Sequence, residues 1–145
     1  MLVTATDVPA DTLFDLSLNI DAHLDSMAGS KERAIAGVTG GPIGLGEMVT
    51  WRARHFGVWF TMTSRITALD RPHRFVDEQV RGPFRVFRHE HAFAEFDGRT
   101  RMTDTLTIGS PVFGRLVERA VLVPYLRRLI RRRNEHLVAS LASRG

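Results

Sequence analysis

The chain has 145 residues, 43% of them apolar and 25% charged, which suits one domain, residues 1–145, with its own hydrophobic core. It has no cysteine, which excludes disulfides, zinc–thiolate sites and a cysteine nucleophile and fits a cytoplasmic location. The net charge of +4 comes from arginine, because Lys31 is the only lysine, and the densest basic run is Arg127, Arg128, Arg131, Arg132 and Arg133.

Residues 2–8 read as a short strand. Pro9 then opens a helix to about residue 18, with Pro and Asp11 suited to a first turn. A second short helix follows over 20–27, capped by Asn19 or Asp21. Residues 31–38 form a strand. The glycine-dense segment 39–47 is a loop. Residues 48–55 and 58–69 are hairpin partners about Phe56-Gly57, and Asp70-Arg71-Pro72 has turn chemistry. Strands over 74–81, 84–96 and 99–108 complete the series. They are separated by Gly82-Pro83 and by Asp97-Gly98, a strong hairpin signal. From 112 to about 143 the chain is helical, with Pro124 expected to kink or break the helix.

No basic stretch followed by an apolar run opens the chain, so no signal peptide is expected. No apolar run approaches the ~20 residues that cross a bilayer, so no membrane insertion is expected.

The order is β-αα-β-β-β-β-β-β-α, an α+β pattern. A single antiparallel sheet needs its apolar face covered, and the last helix is the one element long enough. A curved sheet of about seven strands wrapped around one long helix leaves a space where small molecules bind.

Side chains alternate along strands, so hairpin register predicts which residues face that space. A two-residue turn at Asp97-Gly98 pairs Phe93 with Met102, His91 with Asp104, His89 with Leu106 and Phe87 with Ile108, all on the inward face. In the preceding hairpin Trp51, Ala53 and His55, with Phe60, Met62, Ser64 and Ile66, are the inward set. For residues 74–81, alternation offers Val76, Glu78 and Val80 or Phe75, Asp77 and Gln79. A clean turn at Gly82-Pro83 favours Glu78 inside, and a one-residue slip reverses the face.

His91 opposite Asp104 is the sharpest pair. The carboxylate would set the tautomer of His91 and raise its basicity, as a general base needs, or the two polar groups would simply satisfy each other. His55, His89, His91, Asp104 and Glu78 have no HExxH spacing on a helix. His89 and His91 at i, i+2 share a strand face, as strand-borne metal ligands can, but their neighbours are apolar and there is no cysteine, so no metal and no cofactor is expected. The glycine loop lacks a phosphate-loop ending and reads as a flap at a cavity mouth or a tight connection. On the long helix Leu122, Leu126, Leu129, Ile130, Leu137 and Leu141 make an apolar stripe. The stripe is broad near 121–125, where it would line the cavity or meet a second copy in a homodimer, and Tyr125 adds a hydroxyl. The arginine run reads first as a solvated helix face. Nucleic-acid binding is the less favoured alternative.

Three segments, GLGEMVTWRARHFG (44–57), RFVDEQVRGPFRVFRHEHAF (74–93) and MTDTL (102–106), resemble the SRPBCC superfamily. Its START-like, helix-grip fold is shared with birch-pollen-type allergens and polyketide cyclases. The resemblance spans the chain and is nearest to a bacterial cyclase/dehydrase-like, ligand-binding subgroup. It implies a hydrophobic-ligand cavity but no particular reaction.

The residues and the resemblance together predict a carrier or sensor of a small hydrophobic ligand, aromatic or polyketide-like. Trp51, His55, Phe60, Met62, Ser64, Glu78, Phe87, His89, His91, Phe93, Met102, Asp104, Leu106 and Tyr125 would line its site. The alternatives are an aromatase/cyclase or dehydratase using His91 and Asp104, and an interaction module using the arginines.

Overall fold

The structure, a computed structural model, describes residues 1–109 and 118–143. Seven strands form one antiparallel sheet in the order β1-β7-β6-β5-β4-β3-β2. They are β1 (Leu2–Thr6), β2 (Arg33–Gly37), β3 (Met48–His55), β4 (Val58–Asp70), β5 (Arg74–Arg81), β6 (Val86–Phe96) and β7 (Arg99–Gly109). From β2 to β7 the sheet is a meander, and β1 closes it by pairing with β7. Register breaks between Thr63 and Ser64, between Ile66 and Ala68, and between Ala34 and Ala36 help the sheet to curl.

Because β1 and β2 lie at opposite edges, the connection between them must cross the sheet. Helices α1 (Ala10–Ser17) and α2 (Ile20–Ser26) make that crossing. Asn19 caps α2 by accepting from the Ala22 amide at 3.1 Å. Leu13 and Phe14 of α1 are fully buried, and Phe14 meets Phe75 and Phe93 edge-on at 5.5 and 5.3 Å. With Met102, Ile43, Val49 and Leu137 they form the hydrophobic core.

The glycine segment is a tight connection rather than a flap. Ile20 donates to the Gly41 carbonyl, Ile43 to that of Leu18, and the Gly41 amide to Asp21. These bonds pin the loop against the joint between α1 and α2, with Ile43 buried.

The long C-terminal helix, α3 (Val123–Ala142), carries Pro124 in its first turn, where a missing amide costs nothing. A π-type turn, Glu118–Leu122, runs directly into it, so the helical run is divided at Val123-Pro124, as the proline predicts. Residues 112–117 of the expected helix lie outside the described residues. The main contacts of α3 are with α1, α2 and β1, not with the central strands. A space therefore remains between the helix and the middle of the sheet.

The arginine run is split by the helix. Arg127, Arg128, Arg131 and Arg132 are exposed, as a solvated face requires, but Arg133 is only 4% exposed. Its guanidinium donates to Asn134 Oδ1 at 3.0 Å and lies 3.8 Å from Asp104 Oδ1. Arg133→Ala should therefore lower unfolding stability by about 2–4 kcal/mol, the range for breaking a buried polar network, whereas Arg132→Ala should change it by no more than about 0.5 kcal/mol. Urea denaturation of the two variants checks this, and equal costs would contradict the buried assignment.

Candidate functional site

The space between sheet and helix is a cavity of about 620 Å³. Its walls are mostly apolar: Val49, Phe60, Met62, Phe87 and Leu106 from the sheet, and Leu126, Leu129 and Ile130 from α3. Among the described residues its ionisable side chains enter at three places, with Ser17 and Asn19 as further polar lining.

The first is the floor, where β5, β6, β7 and α3 converge. Backbone register sets His91 beside Asp104 and His89 beside Leu106, as the hairpin turn predicts. Asp97 and Gly98 take φ of 51° and 73°, the left-handed pair of a two-residue hairpin turn. On the other side of β6, Asp77 pairs with His89 and Phe75 with His91.

This corrects the expected face of β5. Glu78 is not in the cavity. It points outward, 39% exposed, and its carboxylate lies 3.1 Å from Arg88. The β5–β6 connection is not a two-residue turn. Gln79 holds the Phe84 main chain through both its amide atoms, at 2.7 and 3.2 Å, and the pairing moves by one residue. That single step turns Asp77 inward and Glu78 out.

The side-chain bonds also differ from the simple His91–Asp104 pair. Asp104 Oδ1 accepts from His89 Nε2 at 2.8 Å, and its Oδ2 accepts from Asn134 Nδ2 at 2.6 Å. His91 Nε2 donates to Asp77 Oδ2 at 2.9 Å. His91 Nδ1 lies 3.1 Å from Asp104 Oδ1, but the two are not aligned for a hydrogen bond, and Nδ1 is buried without a partner. The His89 and His91 rings stack at 3.8 Å, and Phe75 stacks on His91 at 4.2 Å.

Burial alone would raise the Asp104 carboxyl. The bond from His89 and the nearby His91 and Arg133 outweigh it and hold the group well below the usual carboxylate range. Asp77 follows the same pattern, with His91 opposing burial. Its side chain lies deep in the protein yet keeps 22% of its surface open and lines the cavity. Burial, then the neighbouring His91, lowers His89 to about 4, against the opposing pull of Asp104 and Asp77. His89 is therefore neutral near pH 7. Its Nε2 carries the hydrogen given to Asp104, so Nδ1 keeps a lone pair in a residue that lines the cavity.

The second polar place is the mouth. Tyr125 of α3 and His55 of β3 meet at 2.6 Å, and Phe56 at the hairpin tip packs on Tyr125 at 4.4 Å. The third is the side wall. There His23 Nε2 lies 2.8 Å from Glu32, His23 packs on Trp51 at 4.5 Å, and Trp51 donates to Ser64 Oγ at 3.3 Å.

Trp51, His55, Phe60, Met62, Ser64, Phe87, His89, His91, Leu106 and Tyr125 thus line the cavity. Phe93, Met102 and Asp104 do not. Phe93 and Met102 share the inward face, but α1 fills the space above that end of the sheet and makes them core. Asp104 sits behind the histidines, enclosed by Asn134 and Arg133.

Sequence reasoning offered Asp77 only as the less favoured face of its strand, and missed Arg133, Asn134, His23 and Glu32. A signal existed for Arg133 and Asn134, which occupy the helical step between Ile130 and Leu137 on the apolar stripe. No comparable pattern marks His23 or Glu32, whose meeting depends on how α2 lies against β2.

Burial lowers the His55 pKa from 6.5, and Glu32 partly offsets it. The folded value is below the unfolded one, so the stability linked to His55 is present above about pH 6.5 and declines as the pH falls. Glu32→Gln should lower the His55 pKa further, as read from its ring resonances in an NMR titration. An upward shift would contradict this field.

The model of the family described as polyketide cyclase/dehydrase and lipid transport matches residues 3–142. Among solved structures, the Zhui aromatase/cyclase from Streptomyces sp. R1128 superposes with a TM-score of 0.76 at 17% identity, covering 99% of this chain and 92% of that one. The protein TTHA0849 from Thermus thermophilus gives 0.74 at 17% identity, covering 96% of each chain. Major latex-like protein 151 from Panax ginseng gives 0.66 at 14% identity, covering 94% of this chain and 95% of that one. At these identities the likeness is one of fold. Among curated protein sequences, none matches.

Proposed function

Because the chain belongs to the polyketide cyclase/dehydrase and lipid transport family, we propose that its cavity takes up a small hydrophobic ligand with one polar end, as a carrier or sensor. One observation carries the reading: a cavity of about 620 Å³ with apolar walls and its ionisable groups gathered at a few places. That volume is within the range of small-molecule sites, and such walls supply affinity while a few polar atoms orient the ligand. Tyr125 and His55 stand at the mouth, and the lone pair of His89 Nδ1 is available to a ligand hydroxyl at the floor.

A specific observation favours a second reading, that of a cyclase or dehydratase. An imidazole fixed by a buried carboxylate is the arrangement for taking an acidic proton, such as that on a carbon between two carbonyls, although burial lowers the basicity of His89 below that of a free imidazole. In this reading the base is His89, held by Asp104, rather than His91, whose nitrogens face Asp77 and Asp104.

Ala53 is buried against the cavity, so Ala53→Leu narrows it. The variant should weaken binding of the apolar probe 1-aminoanthracene about tenfold, equivalent to about two methylenes of lost burial, in a fluorescence titration. Unchanged affinity would place the probe elsewhere and sink the reading. Turnover of a poly-keto substrate that disappears in His89→Ala, with probe binding retained, would select the enzyme over the carrier.

A further inference from the structure

We propose that Asp77, His89 and His91 form a site for a divalent transition-metal ion of the zinc class on the cavity floor. The three offer one ligand atom each, all within 4.8 Å of one another, from adjacent strands locked in register. Two imidazoles and one carboxylate suit borderline ions such as Zn(II) and Co(II), and three protein ligands at a cavity leave coordination positions open. The expectation of no metal from the sequence had placed Glu78, not Asp77, on this face.

The groups behind the three strengthen the assignment. A ligating histidine characteristically donates its other ring N–H to a carboxylate. His89 already gives Nε2–H to Asp104, which leaves Nδ1 to bind the ion. For His91 the ion explains the buried Nδ1 that has no partner. With no ion, the ring hydrogen sits on Nε2 and is given to Asp77. An ion held between Nε2 and Asp77 needs the Nε2 lone pair, so the hydrogen moves to Nδ1. Asp104 Oδ1 stands 3.1 Å away to accept it after a small ring adjustment.

Charge points the same way. The floor brings two carboxylates, Asp77 and Asp104, together with one buried guanidinium, Arg133, so an added cation meets more carboxylates than fixed cations. Arg133 also lines the cavity, and its guanidinium is held by Asn134 at 3.0 Å and lies 3.8 Å from Asp104. The inference concerns the same cavity as the ligand reading but does not need the hydrophobic ligand.

The test uses the full chain, stripped of metal by a chelator and titrated with Co(II) under visible absorption. Ligand-field bands saturating at one ion per chain and abolished by Zn(II) are expected. Asp77→Asn and His91→Ala should remove them. Asp104→Asn should weaken binding about 10–100-fold, as loss of an outer-shell partner does. His55→Ala, at the mouth, should leave binding unchanged. Absence of Co(II) bands in the unmodified chain, or bands that survive His91→Ala, would overturn the site. If the variants do not fold, long-range 15N–1H NMR of the unmodified chain decides: Zn(II) should move the His91 hydrogen from Nε2 to Nδ1, and an unchanged tautomer overturns the site. 1-Aminoanthracene binding, measured on the same metal-free sample, separates the two ideas. Retained probe binding without metal binding ends this inference alone.

Discussion

The carboxylate of Asp104 joins the two halves of this fold. It takes one hydrogen bond from His89 on β6 and one from Asn134 on α3, so a single buried group ties the sheet to the helix laid across it. Asn134 also reaches Thr4 on β1, and Arg133 reaches the Ser17 carbonyl at the end of α1. A buried carboxylate is costly unless its lone pairs are occupied, and these donors occupy them. Where the helix is anchored decides where it stands away from the sheet, and hence where the cavity lies.

The cavity has two unlike ends for a related reason. Above Phe93 and Met102 the space is filled by Phe14 and Leu13 of α1, so that part of the inward face is core. Above Phe87, His89 and Leu106 none of the described residues makes such a plug, and the same kind of face becomes lining. Identical alternation on a strand therefore yields packing at one end and a binding surface at the other. The difference comes from a helix far away in sequence.

Much of this was legible beforehand. The β6–β7 register followed from Asp97-Gly98, because a turn needing two left-handed residues admits few alternatives. The inward faces of β3 and β4 followed from alternation about Phe56-Gly57. The face of β5 did not follow, because the β5–β6 connection is shaped by a side chain, Gln79, gripping the Phe84 backbone. A shift of one residue exchanged Glu78 for Asp77, and with it the partner of His91.

The sequence by itself determined the element order, a sheet covered by one long helix and the placing of His89, His91 and Asp104 on one face, because local periodicity and turn chemistry act over a few residues; the helix-grip class came with the family resemblance. It also placed Arg133 in a run that reads as solvated. Tertiary structure alone decided that Arg133 is buried, that Asp77 completes the polar floor, and that Asp104 stands behind it rather than in the cavity. Those outcomes depend on contacts between elements distant in the chain, such as Arg133 with Ser17 and Asn134 with Asp104, for which no local pattern exists.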